Sequence, residues 1–193
     1  SGVIAKKILS SCHFSAKVIE IGGNADTEEG LQKAILKQDS VGGLISCEIT
    51  GVPIGLGEPF FDSLESKIAH LAFAVPAVKG IEFGSGFSAS RMYGSEHNDA
   101  LLDKDGFTAT NNSGGINGGI SNGNPITFRV AIKPASSTPK EQFSFNKQLN
   151  APAQITVTGR HDLCIALRAP VVMEAIAAIA IADAFLCNNS FHV

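Results

Sequence analysis

Pro170-Val171-Val172-Met173-Glu174-Ala175-Ile176-Ala177-Ala178-Ile179-Ala180-Ile181-Ala182-Asp183-Ala184-Phe185-Leu186-Cys187 is the most apolar stretch of the chain, and its reading decides the architecture. Glu174 and Asp183 interrupt it and it barely reaches the length of a bilayer span, so it reads as a buried helix of a soluble protein over Pro170–Leu186. The helix is apolar nearly all round. Such a helix must be covered on more than one side, as when helices are held between sheets, and an α+β sandwich is predicted.

The stretch is preceded by Gly159-Arg160-His161-Asp162, which follows a strand predicted at about 153–158. Three different ionisable groups in a row at the edge of a core element suit a site. Arg160 can bind a carboxylate or phosphate through two parallel hydrogen bonds, and Asp162 can accept or relay a proton. A surface ion pair is the competing reading.

Farther upstream, Ile126, Phe128, Val130 and Ile132 alternate with Thr127, Arg129 and Ala131, the signature of a strand with one buried face. Lys133-Pro134 ends it, and Ala135-Ser136-Ser137 adds two hydroxyls and backbone donors beside one cation, a set that suits a phosphate or ring carbonyl or serves as an ordinary turn. The segment from Ala135 to Pro152 reads as a loop. Gly84 to Gly123 is polar and glycine-rich, typical of a long functional loop whose order can depend on a ligand. Within it, Gly114-Gly115-Ile116-Asn117-Gly118-Gly119 lets backbone amides approach a phosphate or flat ring, although it lacks the Gly-Lys-Ser/Thr ending of a nucleotide loop and also fits a turn cluster.

Nearer the start, the pattern predicts a helix over about 27–38, a strand over Leu44–Thr50, a helix over about 62–74 with Asp62 and Glu65 as a capping box, and a strand over Val78–Phe83. The chain opens with Ser1, and Val3–Leu9 reads as the last turns of an amphipathic helix whose beginning is missing, so a cut within a longer protein is expected.

The 193 residues suffice for one domain with a real core, and 44% hydrophobic content, 17% charged residues and a net charge of -3 argue against disorder and against a nucleic-acid surface. Cys12, Cys47, Cys164 and Cys187 show no CxxC pairing, so reduced thiols, no zinc site and a cytoplasmic location are expected. His13 and His70 sit in apolar context and read as packed or surface histidines rather than ligands.

The order of segments says more than any one of them. Val75-Pro76-Ala77-Val78-Lys79-Gly80, the loop Ser113–Gly123, Lys133–Ser137, and Gly159-Arg160-His161-Asp162-Leu163-Cys164 leading to Val172-Met173-Glu174-Ala175 resemble successive blocks of chorismate synthase across nearly the whole chain. The resemblance implies conversion of 5-enolpyruvylshikimate 3-phosphate to chorismate by 1,4-elimination of phosphate, with reduced FMN required and no net redox change. It implies a β-α-β sandwich enclosing helices, and a homotetramer. It assigns Pro76 and Ala77 to FMN through their backbone, Gly118 to the flavin ring, Lys133, Pro134, Ala135, Ser136 and Ser137 to a wrap around the cofactor, and Arg160 to flavin or substrate anions. It assigns Asp162 to the removal of the transferred proton near flavin N5.

Two departures stand out. Leu163 occupies a position where the family often has Pro. The family's two catalytic histidines, its substrate arginines and its Gly-Arg-Ser-Ser-Gly-Arg flavin block belong to a part this chain does not contain, and His161 is neither of those histidines. The resemblance therefore implies the C-terminal half of the enzyme, with little activity alone. A self-associating module that binds no flavin is the alternative.

Overall fold

A computed structural model describes residues 1–159 and 161–190. Helix α1 (Gly2–Ile8) leads into strand β1 (His13–Ile21), helix α2 (Thr27–Lys37) and strand β2 (Gly43–Thr50). A 3₁₀ turn at Phe60–Asp62 precedes helix α3 (Leu64–Ala74) and strand β3 (Val78–Phe83). The long loop carries a 3₁₀ turn, a short helix α4 (Gly94–His97) and the hairpin β4 (Ile116–Asn117) and β5 (Ile120–Ser121). Strand β6 (Ile126–Ile132), the hairpin β7 (Gln142–Asn146) and β8 (Ala151–Ile155), a 3₁₀ turn at Ile165–Arg168 and helix α5 (Pro170–Ser190) complete the order.

One antiparallel sheet, ordered β1-β2-β6-β3, organises the molecule. Period-two alternation turns one of its faces apolar. Ala16, Cys47, Phe128 and Phe83 stand opposite one another across the four strands, and Val18, Ile45, Val130 and Ile81 form the next row. The other face is polar, with Lys17, Ser46, Arg129 and Glu82 in register and Arg129 ion-paired to Glu82 at 2.9 Å. This is the usual division of an antiparallel sheet with one buried side.

The helices cover the apolar face. α5 packs on β1 and β2, α3 on β3, and both α1 and α3 lie against α5. Met173, Ala177, Ala178 and Ile181 are fully buried. The two charges that interrupt the apolar run are links between elements. Glu174 accepts from Lys6 Nζ of α1 at 2.6 Å and from the Ala16 N–H of β1 at 3.0 Å, and Asp183 accepts from Lys67 Nζ of α3 at 2.8 Å. Gly2 permits the α1 contact, because a Cβ there would lie 2.5 Å from Ala175 Cβ. By length and hydropathy α5 would suit a membrane span, but it is packed as the core helix of this sheet.

Several expectations need adjustment. β1 carries no prediction in the sequence reading; its alternation of Phe14, Ala16 and Val18 is broken by an irregularity between Val18 and Glu20, which hides it. Ala135–Pro152 is not a simple loop, since β7 and β8 pair across it through Asn146 and Ala151, and the strand expected at 153–158 runs instead over Ala151–Ile155. α3 starts one residue later than the Asp62 box implies, because Ser63 is the N-cap and its side chain accepts from the Ser66 N–H at 3.0 Å.

Candidate functional site

Antiparallel register gathers four chain segments at one end of the sheet. Ile21, Gly43, Ile132 and Val78 are aligned there, so the loops before β2 and β3 and after β6 meet. The Lys133 N–H donates to Ala77 O at 2.9 Å, seating the strand end of Lys133-Pro134 beside Pro76-Ala77. Ala77 holds a left-handed φ of 75°, rare for a residue with a Cβ. Lys133 Nζ donates to Ser136 Oγ at 2.6 Å, which places cation and hydroxyl together.

The loop before β2 reaches both walls of this end. Ser40 Oγ donates to Ala135 O at 2.7 Å, and the Val41 N–H donates to Leu163 O at 2.8 Å. Asp39 and Ser40 line a cleft of about 450 Å³ with Lys133, Pro134, Ala135, Ser136 and Lys140. The same two residues line a neighbouring cleft of about 320 Å³ with His161, Asp162 and Leu163. Asp162 is exposed, and its Oδ2 accepts from Arg168 Nη2. The Thr138 hydroxyl, opposed by burial and helped by the Ser40 N–H and the Lys140 charge, holds the Asp39 carboxyl below its ordinary value.

The structure thus brings together Pro76-Ala77, Lys133–Ser137 and the Asp162 segment. It puts Gly118 elsewhere. Gly118 lies beyond the start of β6, beside Pro59, Phe60 and Ser63, and the Leu64 N–H of α3 donates to Gly119 O at 3.0 Å. A strand the length of β6 spans roughly 20 Å, which separates the glycine loop from Lys133 within one copy. Arg160 lies outside the described residues.

Asp39 and Ser40 went unread as site residues because, in sequence, they register only as the break after a helix. The signal available was chemical: an acidic residue at a helix C-terminus, where the helix dipole disfavours it.

The model of the family described as chorismate synthase matches residues 2–186. The chain belongs to the chorismate synthase family. It is 60% identical over 190 residues to a chorismate synthase of Chitinophaga pinensis, covering 98% of this chain and 57% of that protein. A chorismate synthase of Archaeoglobus fulgidus is 48% identical over 153 residues, covering 78% of this chain and 42% of its own length. The chain thus spans about half the length of these relatives. A solved structure titled "Crystal Structure of Chorismate Synthase" superposes with a TM-score of 0.76 at 26% identity, over 97% of this chain and 61% of that one. The α+β architecture is therefore that of the chorismate synthase fold.

The residues at the sheet end fit part of a reduced-flavin mononucleotide. Lys133, Ser136 and Lys140 offer two cations and a hydroxyl to a phosphate, and the adjoining cleft is mostly apolar but carries one exposed carboxylate, Asp162. Asp39 faces the same cleft; its Oδ2 lies 3.7 Å from Lys140 Nζ and its Oδ1 accepts from the Thr138 hydroxyl, so Lys140 is shared between Asp39 and any anion bound there.

Proposed function

We propose that the chain is the C-terminal, flavin-facing part of a chorismate synthase that converts 5-enolpyruvylshikimate 3-phosphate to chorismate and phosphate by 1,4-elimination. The observation that carries this reading is the meeting of Ala77, Lys133–Ser136 and the Asp162 segment around Asp39 and Ser40 at one sheet end. Reduced FMN, when bound, supplies electron density to the substrate as phosphate leaves.

The chain's own residues bind and orient. Lys133 and Ser136 hold an anionic group by charge and hydrogen bond, with backbone of Pro76-Ala77 and of Pro134, Ala135 and Ser137 shaping the wall. Arg168 occupies Oδ2 of Asp162, leaving Oδ1 to accept the proton that the reaction releases. Arg160, carried over from the resemblance, takes an anion of flavin or substrate. The working enzyme is read as a cytoplasmic homotetramer.

FMN titration of the chain, followed by quenching of flavin fluorescence, tests the reading; saturable quenching supports it. Incubation with 5-enolpyruvylshikimate 3-phosphate and reduced FMN without oxygen is expected to release little phosphate, since the resemblance puts the family's catalytic histidines outside this chain. Turnover at the rate of a longer relative would contradict that expectation. A second reading, a self-associating module that binds no flavin, is favoured by the exposure of Phe61 in the 3₁₀ turn before α3, of Phe73 on α3 and of Leu186 on α5. Self-association without quenching would select it.

A further inference from the structure

We propose that Asp39 is the positioning residue of this cleft, holding the Lys133–Ser137 segment in its binding shape through Thr138 and Ser40; the proposal rests on the flavin reading above. Asp39 Oδ1 accepts from the Thr138 hydroxyl and from the Ser40 N–H, both at 2.8 Å. Ser40 Oγ in turn donates to Ala135 O at 2.7 Å. The two anchor points, Ala135 and Thr138, bracket Ser136 and Ser137, so one dipeptide pins both ends of the hydroxyl-bearing turn. Thr138 is 6% exposed, and its oxygen also accepts from the Lys140 N–H at 3.4 Å.

The anchor itself is fixed. Gln38 caps α2 in a left-handed conformation, and the Asp39 N–H donates to Ala34 O at 3.2 Å, so the carboxylate is mounted on a helix end. A carboxylate at that end meets the negative pole of the helix, a local disadvantage that the bonds to the 135–140 segment account for. A turn ordered before the ligand arrives binds more tightly than one ordered by it.

The test uses the 193-residue chain with Asp39→Ala, Thr138→Val and Thr138→Ser. Expected for the first two are FMN affinity weakened about tenfold and faster amide exchange over residues 134–140, with exchange in β2 and β6 unchanged. Thr138→Ser, which keeps the hydroxyl, restores both. Thr138→Val stands in should Asp39→Ala fail to fold. Faster exchange with unchanged FMN affinity, or weaker affinity without faster exchange, overturns the positioning role and leaves the flavin reading intact. Absence of FMN quenching by the unsubstituted chain overturns the flavin reading and this inference with it.

Discussion

Ala77 sits at φ 75° while its carbonyl accepts from the Lys133 N–H, so a strained backbone is held at the point where two chain segments join. Such conformations persist where the surroundings over-determine them. Ala77→Gly removes the Cβ conflict and is expected to stabilise the fold by up to about 1 kcal/mol, whereas Ala77→Val destabilises it by about 2 kcal/mol or more, both read from denaturant midpoints. Asp99 works differently. Burial would raise its pKa, but the Ser113 N–H, the Thr110 hydroxyl and the Asn112 N–H together hold it below the ordinary 3.8. A carboxyl whose folded pKa is depressed contributes stability that is present above its unfolded pKa and lost as pH falls through the folded one. Asp99→Asn is therefore expected to lower the unfolding midpoint at neutral pH, with the difference from the unsubstituted chain shrinking as pH drops below 3.8. A difference that persists undiminished at acid pH would rule out the carboxylate's charge as its source. Cys47 needs no chemical role: burial, with the Glu174 charge adding, pushes its thiol up to about 12, and it packs as a core residue.

Among the elements, α5 carries most of the core. Ile181 is fully buried between the sheet and its neighbouring helices, and Ile181→Ala leaves a cavity where many packing contacts were. A loss of about 2–5 kcal/mol is expected, measurable by urea unfolding. The predicted boundaries of α2, β2, β3, β6 and α5 lie within a few residues of those observed, because each has a clear period or cap. β7 and β8 were hidden by composition: Ser, Pro, Gln and Lys dominate a hairpin whose strands are almost wholly exposed, so no buried face marks it. The same holds for function. Lys133–Ser137 was legible as a cation and hydroxyls after a strand, whereas Asp39 draws its meaning from Thr138, far away in sequence.

For the whole molecule, the outward side of the helical layer is open among the described residues. Val172, Ile179 and Leu186 recur every seven residues on α5, and Ile179, with Phe61, His70 and Leu71, borders a groove of about 590 Å³ between α3 and α5. Apolar surface of this extent favours association. Sedimentation at tens of micromolar is expected to give species heavier than 20.1 kDa, and Phe73→Glu combined with Leu186→Glu to shift them toward the single chain without unfolding it. A single-chain mass at all concentrations would argue against an adhesive face.

Periodicity and residue chemistry by themselves determined the α+β class, the all-round apolar helix and four of the strands in part or whole, because burial patterns are local properties of the chain, and the resemblance of its ordered segments pointed to the family. Only the tertiary structure decided that Glu174 and Asp183 fasten α5 to its neighbours, that Asp39 belongs with Lys133 and Asp162, and that Gly118 stands at the opposite end of β6. Those relations follow from antiparallel register, which sets residues far apart in sequence side by side and residues a short way along one strand on opposite ends of a sheet.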